Sequence, residues 1–310
     1  MKNKIKGMTA LTRFPVLLAA GLIWISAGTA KAQQKKGNND QLYFKKNLVA
    51  WCVIPFDSKK RSPEERAIML KALGFRSFTY DWRAQDLPSM ETELATLKKY
   101  NIALKGVWFH IDGNSENLLD ETDETILKIL EKTNTHTELW INFNPQYFKG
   151  SQEEKLQHAI KMIRYIHQRA SAIGCSIALY SHGGWFGEPQ NQVAIIKGAA
   201  LPDTRIIYNF HHGHKDMDNF GEVLKLLGPY LSTVSLNGMR TEGPQILSFG
   251  EGDREAGLLK TLKASGYNGS IAIIGHTENE DVQIALQRNL DGLKKVLLQI
   301  GEKKAAKTYK

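Results

Sequence analysis

The sequence predicts a single-domain (β/α)8 TIM barrel, a closed cylinder of eight parallel strands with helices around it. Three observations predict it. Eight short apolar runs alternate with longer amphipathic stretches. The runs are apolar at successive positions, so both faces of each strand are buried, as in a parallel sheet. The turn after the first run reads Pro55-Phe56-Asp57-Ser58-Lys59, and no GxGxxG or Walker sequence occurs elsewhere. An open, doubly wound sheet usually carries such a glycine-rich phosphate turn, and no nucleotide cofactor is expected.

The elements follow in order. Residues 1–32 are expected to be a signal peptide. Lys2, Lys4, Lys6 and Arg13 precede an apolar stretch at 14–27, and Ala30-Lys31-Ala32 supplies small residues at a cleavage site. The apolar core falls short of the ~20 residues of a spanning helix, so no stable membrane span is expected after cleavage. Export, to a periplasm, is the expected destination. Residues 33–46 read as a polar, flexible lead-in, 47–300 as the barrel and 301–310 as a basic C-terminal tail. Strands are expected at 48–54, 77–80, 103–109, 138–143, 176–180, 205–208, 231–236 and 270–274. Helical patterns fill 63–73, 89–100, 121–132, 153–172, 190–198, 220–227, 255–265 and 281–300. Ser62-Pro63 reads as a cap with a first-turn proline, and Gly74, Gly174 and Gly266 follow helix ends.

Charge removes one class of partner. The leader holds five of the 41 basic residues and no acid, so the rest of the chain carries a net +4 against 32 acidic residues. Several remaining lysines sit near the termini, and no basic stripe marks the body, so nucleic acid is not an expected partner. Cys52 and Cys175 read as small buried core residues, with a bridge between them left open. No Cys/His spacing suggests structural zinc.

In such a barrel the functional face lies at the C-terminal ends of the strands. Six of nine histidines fall just after expected strands: His110, His182, His211, His212, His214 and His276. Imidazole suits both proton transfer near neutral pH and metal ligation. Beside these stand Asp81, Trp82, Arg83, Trp108, Asn142, Trp185, Glu188, Asn209, Asn237 and Glu278, with Glu251 as a weaker addition. Flat aromatic faces next to hydrogen-bonding groups suit a sugar ring. Asp81 and Arg83 are expected to pair at the mouth or to hold substrate hydroxyls.

Several stretches resemble the xylose isomerase-like sugar isomerase/epimerase barrels, a group that also includes endonuclease IV. They are Trp51-Cys52-Val53-Ile54-Pro55-Phe56-Asp57, Leu73-Gly74-Phe75, Tyr80-Asp81-Trp82-Arg83, and Ser181-His182-Gly183-Gly184-Trp185-Phe186-Gly187. Tyr208-Asn209-Phe210-His211-His212-Gly213-His214 and Ile274-Gly275-His276-Thr277 complete the set. The resemblance spans roughly residues 47–297 and is closest to exported members. It implies a divalent metal held by Glu, Asp, His and Glu after strands five to eight. Those positions fall here near Tyr180, at Asn209, near Ser235 and near Gly275, while the histidine that follows the strand-six position is matched by His212. Loss of the carboxylates disfavours a hard dication. His182, His212 and His276 are the alternative ligands for one divalent ion such as Zn or Mn.

The expected function is that of a sugar isomerase/epimerase-like enzyme that abstracts a proton next to a carbonyl of a carbohydrate or keto-sugar. His182, His212, His276 and Glu188 are its candidate catalytic residues. Asp81, Arg83, Trp108, His110, Asn142, Trp185, Asn209, His211, Asn237 and Glu278 are the candidate substrate contacts, with Asn209, Asn237 or a bound metal polarising the carbonyl oxygen. A lyase or hydratase acting on oxidised glycosides, and a non-catalytic sugar-binding barrel, are the alternatives. A nuclease ranks below all three.

Overall fold

The computed structural model describes residues 39–113 and 118–309; the expected signal peptide lies outside them. Eight strands close into a barrel in chain order: β1 (Leu48–Trp51), β2 (Ser77–Tyr80), β3 (Ala103–Ile111), β4 (Glu138–Phe143), β5 (Ser176–Tyr180), β6 (Arg205–Asn209), β7 (Leu231–Leu236) and β8 (Ser270–Ile274). Every neighbouring pair is parallel, and β8 returns to β1. The main helices are α1 (Pro63–Ala72), α2 (Met90–Lys99), α3 (Glu121–Lys132), α4 (Gln152–Ala172), the one-turn α5 (Gly184–Gly187), α6 (Pro189–Ala199), α7 (Phe220–Leu227), α8 (Glu255–Ala264) and α9 (Val282–Gln299), followed by the short α10 (Lys303–Ala306).

Local chemistry sets the helix boundaries. Ser62 accepts from the Glu65 amide while Glu65 returns a bond to Ser62, with Pro63 in the first turn. Asp120 and Ser151 start α3 and α4 with the same reciprocal cap. Gly74, Gly174 and Gly266 end α1, α4 and α8 at φ of +80°, +74° and +81°, where a side chain would be strained.

The period-two alternation of each strand builds two cores. One set of side chains, including Leu48, Phe78, Phe109, Ile141, Leu179, Ile206, Val234 and Ile273, faces the helices. The other set fills the barrel interior with Val49, Trp51, Trp140, Ala178, Tyr180, Ile207, Ala272 and Ile274. Trp51 stacks on Trp108 at 5.7 Å between ring centroids and tilts against Trp140 at 4.9 Å, while Tyr180 lies 5.9 Å from Trp140. Gly106 makes room for this plug, since a Cβ there would stand 2.4 Å from Trp140 Nε1.

Both ends of the barrel segment are longer than the sequence suggested. Leu42 and Tyr43 are buried, so the lead-in is folded from there onward. Residues 301–309 are no loose tail, because Ala305, Ala306 and Tyr309 are buried and Tyr309 Oη donates to the Tyr43 carbonyl at 2.8 Å. The apolar run at 48–54 leaves the ladder after Trp51, where Cys52 takes a left-handed φ of +52°. Cys52 and Cys175 are buried and unbridged. Among the described residues no helix is long and apolar enough to cross a membrane.

Candidate functional site

Counting in twos along each strand from the barrel interior leads to the mouth. Thr79 leads to Asp81, Trp108 to His110, Trp140 to Asn142, and Tyr180 to His182. Ile207 leads to Asn209, Ser235 to Asn237, and Ile274 to His276. Register places His110 beside Asn142, and Asn142 follows the Ile141–Leu179 pair that sets it level with Tyr180. His212 arrives differently, through the tight turn after β6 in which its amide donates to the Asn209 carbonyl.

The imidazoles form a connected chain. The ring centroids of His182 and His212 are 4.5 Å apart, those of His212 and His211 4.2 Å, and those of His211 and His276 6.0 Å. Trp108 meets the edge of His182 at 5.1 Å, and Arg83 lies over the Trp108 ring at 5.3 Å. Phe56, from the β1 loop, covers His276 at 3.9 Å. Tyr180 forms the floor beneath His182 and His212.

Burial keeps these rings uncharged. It lowers His182 to about 4, and the nearby His110, His211 and Arg83 oppose its protonation further. Burial and the neighbouring imidazoles lower His211 to about 4 and His212 to about 3. His276 is lowered by burial and pulled back upward by Glu278. Asp81 moves the other way, to about 7, because burial outweighs Arg83 and the amides that hold its charge.

Hydrogen bonds decide what each polar group still has to offer. Asn209 Oδ1 accepts from the His211 amide at 3.1 Å, so its Nδ2 donates to Tyr180 Oη at 2.6 Å. Asn237 Nδ2 donates to the carbonyls of Gly238 and Gln245. Asn237 therefore has no free donor for a substrate carbonyl, whereas Asn209 spends one of its two N–H groups on Tyr180. Asn142 Oδ1 meets His110 Nδ1 at 3.2 Å, leaving Asn142 Nδ2 without a partner. Asp81 Oδ2, Ser235 Oγ and Asn237 Oδ1 are likewise buried and unpartnered. Unpaired buried polar atoms are costly and concentrate where ligands or water complete them.

Other expected members are bonded elsewhere or line a neighbouring cavity. Glu188 pairs with Lys215 at the start of α6, tying the β5 loop to the β6 loop. Trp185 donates to Gln152 at 2.6 Å and leans on Phe148, and Trp82 donates to the Trp108 carbonyl at 2.8 Å. Only Trp108 of the three tryptophans touches the imidazole chain. Arg83 does not pair with Asp81: its guanidinium bonds the Trp82 carbonyl. Nor does His214 join the rings, because it contacts the Arg240 carbonyl at 2.6 Å. Glu278 and Glu251 line a cavity of about 360 Å³ with Ile274, His276 and Arg288. Sequence reasoning missed Tyr180 and Phe56 as site residues. Tyr180 was legible as the inward residue two before His182, whereas nothing in the sequence places Phe56 on His276.

The donor set does not fit the metal that the resemblance implies. A phenol, an amide, a hydroxyl and a glycine stand at Tyr180, Asn209, Ser235 and Gly275, and a hard dication wants carboxylate oxygens there. His182 and His212 are adjacent, while His276 packs against Phe56 and stands next to His211. Among the described residues no three His, Cys, Asp or Glu side chains are arranged to hold a metal ion.

No protein-family model matches the sequence. No curated protein matches it either. Solved structures do. A 3-keto-D-glucoside 4-epimerase from E. coli superposes with a TM-score of 0.62 at 18% identity, over 81% of this chain and 100% of that one. A D-psicose 3-epimerase gives 0.54 at 14% identity, over 77% and 92%. A probable 3-DHS dehydratase from Bacillus anthracis gives 0.57 at 14% identity, over 77% and 97%. The chain shares the (β/α)8-barrel fold of these solved structures.

Proposed function

We propose that the chain is a sugar isomerase/epimerase-like enzyme that acts on a keto-sugar by removing a proton from the carbon next to the carbonyl. The observation that carries this reading is the adjacent pair His182 and His212, held uncharged above the aromatic floor of the barrel. An uncharged imidazole has a free lone pair and serves as the base. The base takes the proton, and the C–H electron pair moves onto the carbonyl oxygen to give an enol or enolate. Return of a proton to the opposite face inverts the centre, and return to the neighbouring carbon isomerises the sugar. The cavity lined by His276, Glu251, Glu278 and Arg288 is large enough for part of a sugar and carries polar groups suited to hydroxyls. Epimerases among the solved structures of like fold support the same reading.

The test follows hydrogen exchange at the carbon next to the carbonyl in D2O by NMR. A 3-keto-D-glucoside, D-psicose, D-fructose and D-tagatose are incubated with the protein. Exchange of one position is the expected result. Sugar binding without exchange at any position would instead favour a non-catalytic binding barrel. β-Elimination starts with the same proton removal, so an enone absorbance growing in step with exchange would mark a lyase or hydratase. Export to a periplasm, proposed from the first 32 residues, is checked by fractionating cells that express the full chain.

A further inference from the structure

Resting on the proton-abstraction reading, we infer that the hydroxyl of Tyr180, with Asn142 Nδ2 beside it, is the hydrogen-bond donor that takes up charge on the substrate's carbonyl oxygen. Removal of a proton next to a carbonyl needs a base and also a partner for the oxygen that becomes negative. Of the two asparagines that first suggest themselves, Asn237 has both amide protons committed within the protein, and Asn209 is held in place by one N–H on Tyr180 and by its oxygen on the His211 amide.

Tyr180 is the residue that those commitments orient. Its oxygen accepts from Asn209 Nδ2 at 2.6 Å and from Trp51 Nε1 at 3.3 Å. Asn209 cannot reverse this arrangement, because its Oδ1 is held by the His211 amide. Both acceptor directions of the phenol oxygen are thus filled by N–H donors, and its own proton has no acceptor among the described residues. The ring is fixed by Trp51, Trp108 and Trp140 on three sides. What remains is one O–H bond of set direction, beneath His182 and His212. One position away on β4, at the same level, Asn142 Nδ2 is buried and unpartnered.

The phenol stays protonated, since burial and the nearby Cys52 and Asp81 raise it well above its ordinary range. It therefore gives a hydrogen bond and does not transfer its proton outright. Atoms and charge balance: the imidazole gains the proton, the substrate oxygen gains the electron pair, and Tyr180 and Asn142 share that charge through hydrogen bonds. The position is also where the resemblance implies a metal-binding carboxylate, so a neutral donor pair takes over the task of an ion that the residues do not fit.

The experiment compares the wild type with Tyr180→Phe and Asn142→Ala in the D2O exchange assay. Circular dichroism and thermal melting confirm that each variant folds. The expected result is a fall in kcat of roughly 10²–10³-fold for Tyr180→Phe, with KM moving by less than about threefold because the bond strengthens only as charge develops. Wild-type protein labelled with 13Cζ-tyrosine supplies a second reading: the resonance missing from Tyr180→Phe should shift when the keto-sugar binds. A wild type that exchanges, with Tyr180→Phe within threefold of it, overturns the Tyr180 assignment and leaves the proton-abstraction reading intact. A wild type that exchanges nothing overturns that reading. A resonance shift in that case keeps Tyr180 as a carbonyl donor in a binding site. No shift with any of the four sugars overturns the Tyr180 assignment whatever the exchange assay gives.

Discussion

The rings of His182 and His212 lie 4.5 Å apart at the ends of adjacent strands, and burial keeps both uncharged, with His182 adding to the lowering of His212. Both therefore remain available as bases far below the pH at which an exposed histidine is protonated. Replacing either with asparagine is expected to lower the exchange rate by roughly 10²–10⁴-fold. The double variant should cost much less than the product of the two, since the pair acts on one proton. Steady-state kinetics on the three variants check this.

The same electrostatics predicts the pH profile. With His182 near 4 and His212 near 3, acid should quench exchange only at low pH. The expected profile is flat from about pH 5 to about 8, and an acid limb centred near an ordinary imidazole value of about 6.5 would contradict the uncharged pair.

Stability should show compensating titrations. His182, His211 and His212 gain protons more readily unfolded than folded, because burial lowers them from 6.5 to about 4 or below. Asp81, Asp123 and Glu138 do the reverse, raised by burial to about 7. Between about pH 4.5 and about 6.5 these six groups leave proton binding nearly equal in the two states, so their contributions to the slope of stability with pH cancel. Glu138→Gln removes one proton held by the folded state. The unfolded state then binds the excess, and stability should rise with pH by about 1.4 kcal/mol per unit across that window. At pH 8, where the half-buried Glu138 would be ionised, the variant should exceed the wild type by about 1–3 kcal/mol. Urea titrations of both proteins at several pH values measure each quantity.

Arg66 on α1 grips Glu93 on α2 through Nε at 3.2 Å and Nη2 at 3.0 Å, with both residues buried. Arg66→Met should cost about 3–5 kcal/mol because Glu93 is left as an uncompensated buried charge. Arg66→Met with Glu93→Leu should recover most of that loss. Equilibrium unfolding of the single and double variants decides it.

Gly292 on α9 lets the Phe249 carbonyl lie against the helix, and a Cβ there would stand 1.5 Å from that oxygen. Gly292→Ala must push back the loop whose Ser248 and Glu251 line the cavity beside His276. A loss of about 1–3 kcal/mol is expected, together with weaker sugar binding. Gly257→Ala on α8, where a Cβ meets nothing within 4 Å, is the control and should gain about 0.5–1 kcal/mol. Thermal melting and sugar titration read both.

Much of this molecule was determined by its sequence. Strand spacing, two-sided apolar runs and helix caps such as Ser62 are local properties, and together they dictated the barrel. Strand-end parity even set which of His110, Asn142, Asn209 and Asn237 point to the mouth, since alternation along a strand is a backbone rule. Tertiary structure alone decided what those groups have left to give. Glu188 was drawn to Lys215, Arg83 to Trp108 and Trp185 to Gln152, each by a partner 27, 25 or 33 residues away that no local pattern reveals. Asn209 became an orienting group for Tyr180 because the β6 turn brought the His211 amide to its oxygen. Closure of the barrel sets these pairings, and sequence spacing carries no record of which side chains meet across it.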